Sequence, residues 1–253
     1  MGKRLMFVGD SLSLDQWQSL TCMLHVAVPE ANYTLKRINN LSIFSFPIYN
    51  ASFMFFRNAF LVDITNETSG RVLKLDSITT SKIWDGMDVV IFDSWHWWLH
   101  TGRKQPWDMI QFGNTTVKDM DRLSIYEIAL NTWAKWVDSH VDPSKTKVFF
   151  QGVSPDHAST PYINATNCQN QTQPLKNPGD PHPAELVLEK VLRAMSKSVY
   201  LLNITTLSQL RIGGHPASDG RGVDCTHWCL AGVPDTWNEL LYTTLFSHSS
   251  ITF

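Results

Sequence analysis

Leu5-Met6-Phe7-Val8-Gly9-Asp10-Ser11 changes character twice within one short span. The apolar run Leu5–Val8 reads as a buried strand, Gly9-Asp10 as a tight turn, and the pattern from about Leu14 to Val28 as a helix. Comparable apolar runs recur at Val89-Val90-Ile91-Phe92, Val148-Phe149-Phe150 and Val199-Tyr200-Leu201-Leu202. Amphipathic segments near 121–139 and 184–197 separate them. Strands alternating with helices predict an α/β fold whose parallel sheet is covered on both faces. Residues 33–75 depart from this rhythm: Tyr33 to Ile38 alternates, and Phe53 to Val62 is rich in aromatics. That segment reads as an inserted antiparallel hairpin region. Residues 154–183 form a long polar loop and 211–236 a second loop dense in Gly and Pro. With no repeat or linker, the 253 residues are read as a single catalytic domain, 1–253.

A formal net charge of -2 leaves no broad basic surface for nucleic acid or anionic lipid. Four cysteines, Cys22, Cys168, Cys225 and Cys229, are too few for a disulfide scaffold, and Cys225-x-x-x-Cys229 lacks the second pair of a zinc site. No metal is expected. Asn32, Asn40, Asn50, Asn66, Asn114, Asn164, Asn170 and Asn203 each open an Asn-x-Ser/Thr triplet, where about one or two are expected by chance. The secretory lumen explains that excess. Yet no signal peptide opens the chain and no apolar stretch is long enough to span a bilayer. The expectation is a missing N-terminal portion that carries the targeting segment. The ten tryptophans are divided between core packing and stacking on sugar rings.

A serine hydroxyl attacks an ester at neutral pH only when a base takes its proton and a third group orients that base. Ser11 sits where a buried strand gives way to a helix, which exposes its hydroxyl at the carboxyl edge of the sheet and puts a helix N-terminus beside a developing oxyanion. Asp224-Cys225-Thr226-His227 supplies an acid and a base within one turn, near the chain end. Asp93-Ser94-Trp95-His96 has the same Asp-x-x-His form. Position favours His227 as the base, because His96 follows a predicted central strand within a tryptophan-rich loop suited to oxyanion support or substrate contact. His157 and His215 are read as loop or structural histidines.

The segment Gly2 to Ser13, the motif Trp95-His96-Trp97-Trp98, and Asp224-Cys225-Thr226-His227-Trp228-Cys229-Leu230 through Val233-Pro234-Asp235-Thr236-Trp237-Asn238 together resemble the plant trichome-birefringence-like proteins. The resemblance runs almost end to end. It implies a three-layer α/β/α SGNH-hydrolase-like domain that moves O-acetyl groups on cell-wall polysaccharide, in the Golgi lumen or secreted to the wall. It also implies Ser11, Asp224 and His227 as the triad, with Asp93, His96, Trp97 and Arg57 at the oxyanion or substrate site. Cys168 and Cys225 are implied to pair, whereas Cys22 and Cys229 resemble positions that bond to an N-terminal segment. The membrane is reached only through such a missing anchor. No bound cofactor is implied, but transfer requires an acetyl donor. Asp93 stands where relatives often carry Asn, Gly213-Gly214-His215 lacks an expected charged residue, and Ala231 replaces a usual proline. An ionised Asp93 cannot donate to an oxyanion. Three functions remain open: an O-acetyltransferase, a pectin or xylan acetylesterase using the same triad, and a polysaccharide-binding protein without catalysis.

Overall fold

The computed structural model describes residues 2–158, 167–216 and 223–247. β1 (Arg4–Gly9) runs into α1 (Ser11–Ala27) with Asp10 alone between them. The helix starts three residues earlier than the sequence pattern suggests. The cause is the Asp10 carboxylate, which accepts the Leu12 N–H at 2.9 Å and satisfies a donor of the first turn.

Then come β2 (Thr34–Ile38), β3 (Leu41–Phe46), β4 (Ala51–Arg57), β5 (Asp63–Glu67), β6 (Gly70–Lys74) and β7 (Val89–Phe92). They are followed by β8 (Met109–Phe112), β9 (Thr115–Val117), α2 (Arg122–His140), β10 (Lys147–Gln151), α3 (Pro183–Ala194), β11 (Tyr200–Leu202), α4 (Thr205–Gln209) and α5 (Val233–Ser247). The main sheet has the order β11-β10-β7-β1-β4-β3-β2. Its strands from β11 to β4 are parallel, and β3 and β2 continue it antiparallel.

The pleat of β1 divides the core. Met6 and Val8 point into one cluster with Trp133, Val137 and Leu188 of α2 and α3; Leu5 and Phe7 point into another with Leu12, Trp17, Trp237 and Leu241 of α1 and α5. Helices therefore cover both faces, as the alternation predicts. On the second face α1 and α5 are tied by Asn238 Nδ2, which donates to the Gln16 carbonyl at 3.0 Å and to Ser19 Oγ at 2.9 Å.

The antiparallel pairing read into 33–75 is present, β2 with β3, β3 with β4 and β5 with β6, but the segment is not an insertion separate from the main sheet. β4 lies beside β1 in parallel register, with Phe7 opposite Phe55. Its Met54 and Phe55 enter opposite cores, so its apolar run is that of a central strand buried on both faces. β2 and β3 extend the same sheet to an edge, and only β5 and β6 leave it for a small second sheet with β8 and β9. The tryptophans are also more structural than expected. Eight of the ten are buried, and Trp97 and Trp136 are partly exposed. Among the described residues of 154–183 no helix or strand forms before α3.

The strand-to-helix turn has no spare volume. A Cβ on Gly9 would lie 2.7 Å from the Asp93 carbonyl oxygen and 2.8 Å from Ser13 Cβ. Gly9→Ala should therefore cost about 1–3 kcal/mol, the usual range for overpacking. Thermal denaturation should show a Tm lower by several degrees, and an unchanged Tm would mean that the turn yields.

Candidate active site

Ser11 stands at the carboxyl end of β1, as the first residue of α1. The segment 223–232 returns to this edge from the far end of the chain. There Asp224 Oδ1 accepts the N–H groups of Thr226 and His227, both at 3.0 Å, which coils the segment into a turn. The same turn presents both side chains: His227 Nδ1 lies 2.8 Å from Asp224 Oδ2, and His227 Nε2 lies 2.7 Å from Ser11 Oγ. Both distances are within hydrogen-bond reach.

Several contacts hold that turn. Cys168 and Cys225 form a disulfide with Cα atoms 5.5 Å apart, and His157 N–H donates to the Cys225 carbonyl at 2.9 Å. Trp228 Nε1 donates to Ser154 Oγ at 2.9 Å, and the Trp228 N–H reaches Asp15 Oδ2 at 3.4 Å. Cys22 and Cys229 are free and exposed. The site is open rather than sunken. Side chains of His227 and Asp224 remain 38% and 46% exposed.

The second Asp-x-x-His segment lies behind this ledge. Asp93 is buried, directly beneath Gly9. Burial and the neighbouring Asp10 carboxylate push its carboxyl well above the usual range, so it is held neutral. It packs under the turn instead of facing an open oxyanion pocket. His96 is buried with neither ring nitrogen hydrogen-bonded, and burial lowers its basicity against the pull of Asp10 and Asp156. A neutral imidazole results. Trp97 is half-buried beside Phe60 and His100. Arg57 ends β4 opposite Gly9 and lines a groove with Leu14, Trp17 and Lys36, off to one side of Ser11.

The seven described sequon asparagines, Asn32, Asn40, Asn50, Asn66, Asn114, Asn170 and Asn203, are all exposed, and Asn164 lies outside the described residues. No helix of the described residues is long and apolar enough to cross a membrane. No cluster of three or more His, Cys, Asp or Glu suited to a metal occurs among them.

Residues 1–244 match the family model described as PC-Esterase, a GDSL/SGNH-like acyl-esterase family found in Pmr5 and Cas1p. The chain belongs to this acyl-esterase family. Among its relatives, Arabidopsis thaliana protein trichome birefringence-like 43 is 56% identical, across 97% of this chain and 70% of the relative. Trichome birefringence-like 41 is 52% identical across 95% and 71%, and trichome birefringence-like 39 is 51% identical across 97% and 69%. The SGNH-like family and the mixed α/β sheet agree with the resemblance read in the motifs.

Asp15 was not singled out by the sequence. It lies one helical turn beyond Ser11, on the same face of α1, where it accepts from the Trp228 N–H and feels the field of His227. Burial raises its carboxyl to about 6; His227 and the Trp228 N–H oppose that shift, while Asp10 and Asp224 add to it. The available signal was its spacing from Ser11.

Asp93 yields a pH-dependent expectation. Its raised folded-state pKa means that the fold binds this proton more tightly than the unfolded chain does. The associated stability is complete below the ordinary Asp value and is lost as pH rises toward the folded value. Asp93→Asn keeps a neutral group at every pH. The variant's Tm should match the parent's in acid and exceed it increasingly toward alkaline pH. Parallel Tm curves across pH would remove Asp93 as a buried neutral acid.

Proposed function

We propose that this acyl-esterase family member is a polysaccharide O-acetyltransferase working through an acetyl-Ser11 intermediate. The Asp224–His227–Ser11 hydrogen-bond chain carries the reading. His227 Nε2 takes the Ser11 proton as Oγ bonds to the acetyl carbonyl carbon of the donor. Asp224, on Nδ1, holds the tautomer that leaves Nε2 free and stabilises the imidazolium. As the tetrahedral adduct collapses, the donor oxygen leaves with the proton from His227. A polysaccharide hydroxyl then gives its proton to His227, attacks the acetyl carbon, and departs acetylated as Ser11 recovers its proton.

The adduct's negative oxygen is served by the Ser11 N–H at the start of α1, where the helix dipole also favours charge; the next N–H, of Leu12, is already taken by Asp10. His96, neutral and unpartnered, is the side-chain donor candidate; Asp93, placed under the turn, supports the backbone instead. Trp97, which is partly exposed, and Arg57, which lines a groove with Leu14 of α1, are assigned to the glycan. An open site suits a polymer that enters from the side. The same exposure admits water, which supports a second reading as a pectin or xylan acetylesterase with identical residues. The exposed sequons support a secretory setting, Golgi lumen or cell wall.

Ser11→Ala should abolish both transfer and hydrolysis, by three orders of magnitude or more, with the Tm unchanged. His227→Ala should lose nearly as much. The double variant should be hardly worse than either alone, since the pair acts in one step. Assays with acetylated and bare xylan, mannan and homogalacturonan, plus a donor ester, read acetate release against acetylated oligosaccharide. Additive losses, or activity within tenfold of the parent in Ser11→Ala, would reject the triad. Acetate release with no acetylated product would select the esterase.

A further inference from the structure

Behind the ledge, two buried histidines join separate loops end to end. His157 Nε2 lies 3.0 Å from the Gln209 carbonyl oxygen, His157 Nδ1 lies 2.6 Å from His215 Nε2, and His215 Nδ1 lies 2.7 Å from the His227 carbonyl oxygen. The rings are 2% and 8% exposed, and His215 stacks on Trp228 with centroids 4.2 Å apart.

Proton counting constrains this chain. A carbonyl oxygen only accepts, so His157 donates from Nε2 and His215 donates from Nδ1. A neutral imidazole carries one N–H. Those two bonds consume both protons and leave two bare lone pairs facing each other, closer than the usual donor–acceptor range of about 2.7–3.2 Å. Lone pairs repel. Only a third proton between the rings makes all three contacts hydrogen bonds.

We propose that His157 and His215 share one extra proton, and that the cationic pair so formed is a positioning device that clamps the His227 backbone beside Ser11. The clamp's bearing on catalysis rests on His227 being the base; the shared proton itself does not.

Charged groups around the pair set its pH range. Burial pushes each ring below the ordinary histidine range, His157 to about 4; His227, when charged, adds to this for His215. The Asp156 carboxylate, from the His157 loop, pulls both rings upward, and Asp224, from the His227 turn, pulls His215 upward. Sharing spreads the charge over two rings and gives the proton a second partner. The pair therefore takes it up at higher pH than either buried ring alone, as one coupled step. The clamp is complete on the acid side and loosens as pH rises.

The test is nuclear magnetic resonance on the full chain labelled with 15N in histidine. One strongly downfield proton should couple to nitrogens of both residues, and both rings should titrate together as that signal fades with rising pH. Independent titration, or two fixed neutral tautomers without a shared proton at any pH, overturns the proposal. This readout decides the pair even if Ser11→Ala proves that the enzyme works differently. Activity supplies the second arm. His157→Gln replaces the shared proton with a neutral amide donor, so kcat should persist with the pair's pH dependence removed. His157→Leu should lower kcat on the order of tenfold at constant KM, the cost of one lost hydrogen bond. Equal pH profiles for parent, His157→Gln and His157→Leu would reduce the pair to simple packing.

Discussion

The turn at Gly9-Asp10-Ser11 is the constraint on which the rest of the structure depends. It must end a strand buried on both faces, begin a helix at once, and leave Ser11 Oγ able to meet a base. Asp10 makes the abrupt change possible by capping α1 through Leu12. Gly9 makes it fit, because its Cα lies against the Asp93 carbonyl and Ser13 without room for a side chain. The crowding carries a cost. Two carboxyl groups, Asp10 and Asp93, are buried together there, and the proton held on Asp93 avoids two facing negative charges.

The opposing half of the site has no regular element to stiffen it. Residues 223–232 precede α5, and their order comes from cross-links: the Cys168–Cys225 disulfide, the Trp228–Ser154 bond, the Cys229 N–H to Gly214 carbonyl bond at 3.0 Å, and the histidine pair. These attach to different loops, so the turn is fixed from several directions. α5 then anchors the far end through Asn238 against α1, the helix that begins with Ser11. Ser11 and His227 thus share one packed face of the sheet, although 216 positions separate them.

Negative charge is concentrated around His227. Asp224 bonds its ring and Asp15 lies behind the Trp228 N–H, with Asp10 further under the turn. These carboxylates repel one another, which contributes to the raised carboxyl of Asp15. Stability and chemistry pull in opposite directions here, as is common where like charges are gathered at one site.

Local pattern determined much of this protein. Apolar runs and helical periodicity gave the parallel core, and Gly-Asp-Ser marked Ser11 while Asp-x-x-His offered two acid–base pairs, because strand ends and tight turns are written in neighbouring residues. Other features depend on distant partners. β4 joins the main sheet because β1 lies beside it, and nothing within Ala51–Arg57 distinguishes a central strand from one arm of a hairpin. Which Asp-x-x-His meets the serine was decided by packing, which buries Asp93 and His96 while turning His227 outward to Ser11. Asp15, His157 and His215 acquire their roles only in three dimensions. Their hydrogen bonds and electric fields act through space, and a linear sequence does not record which groups folding brings within reach.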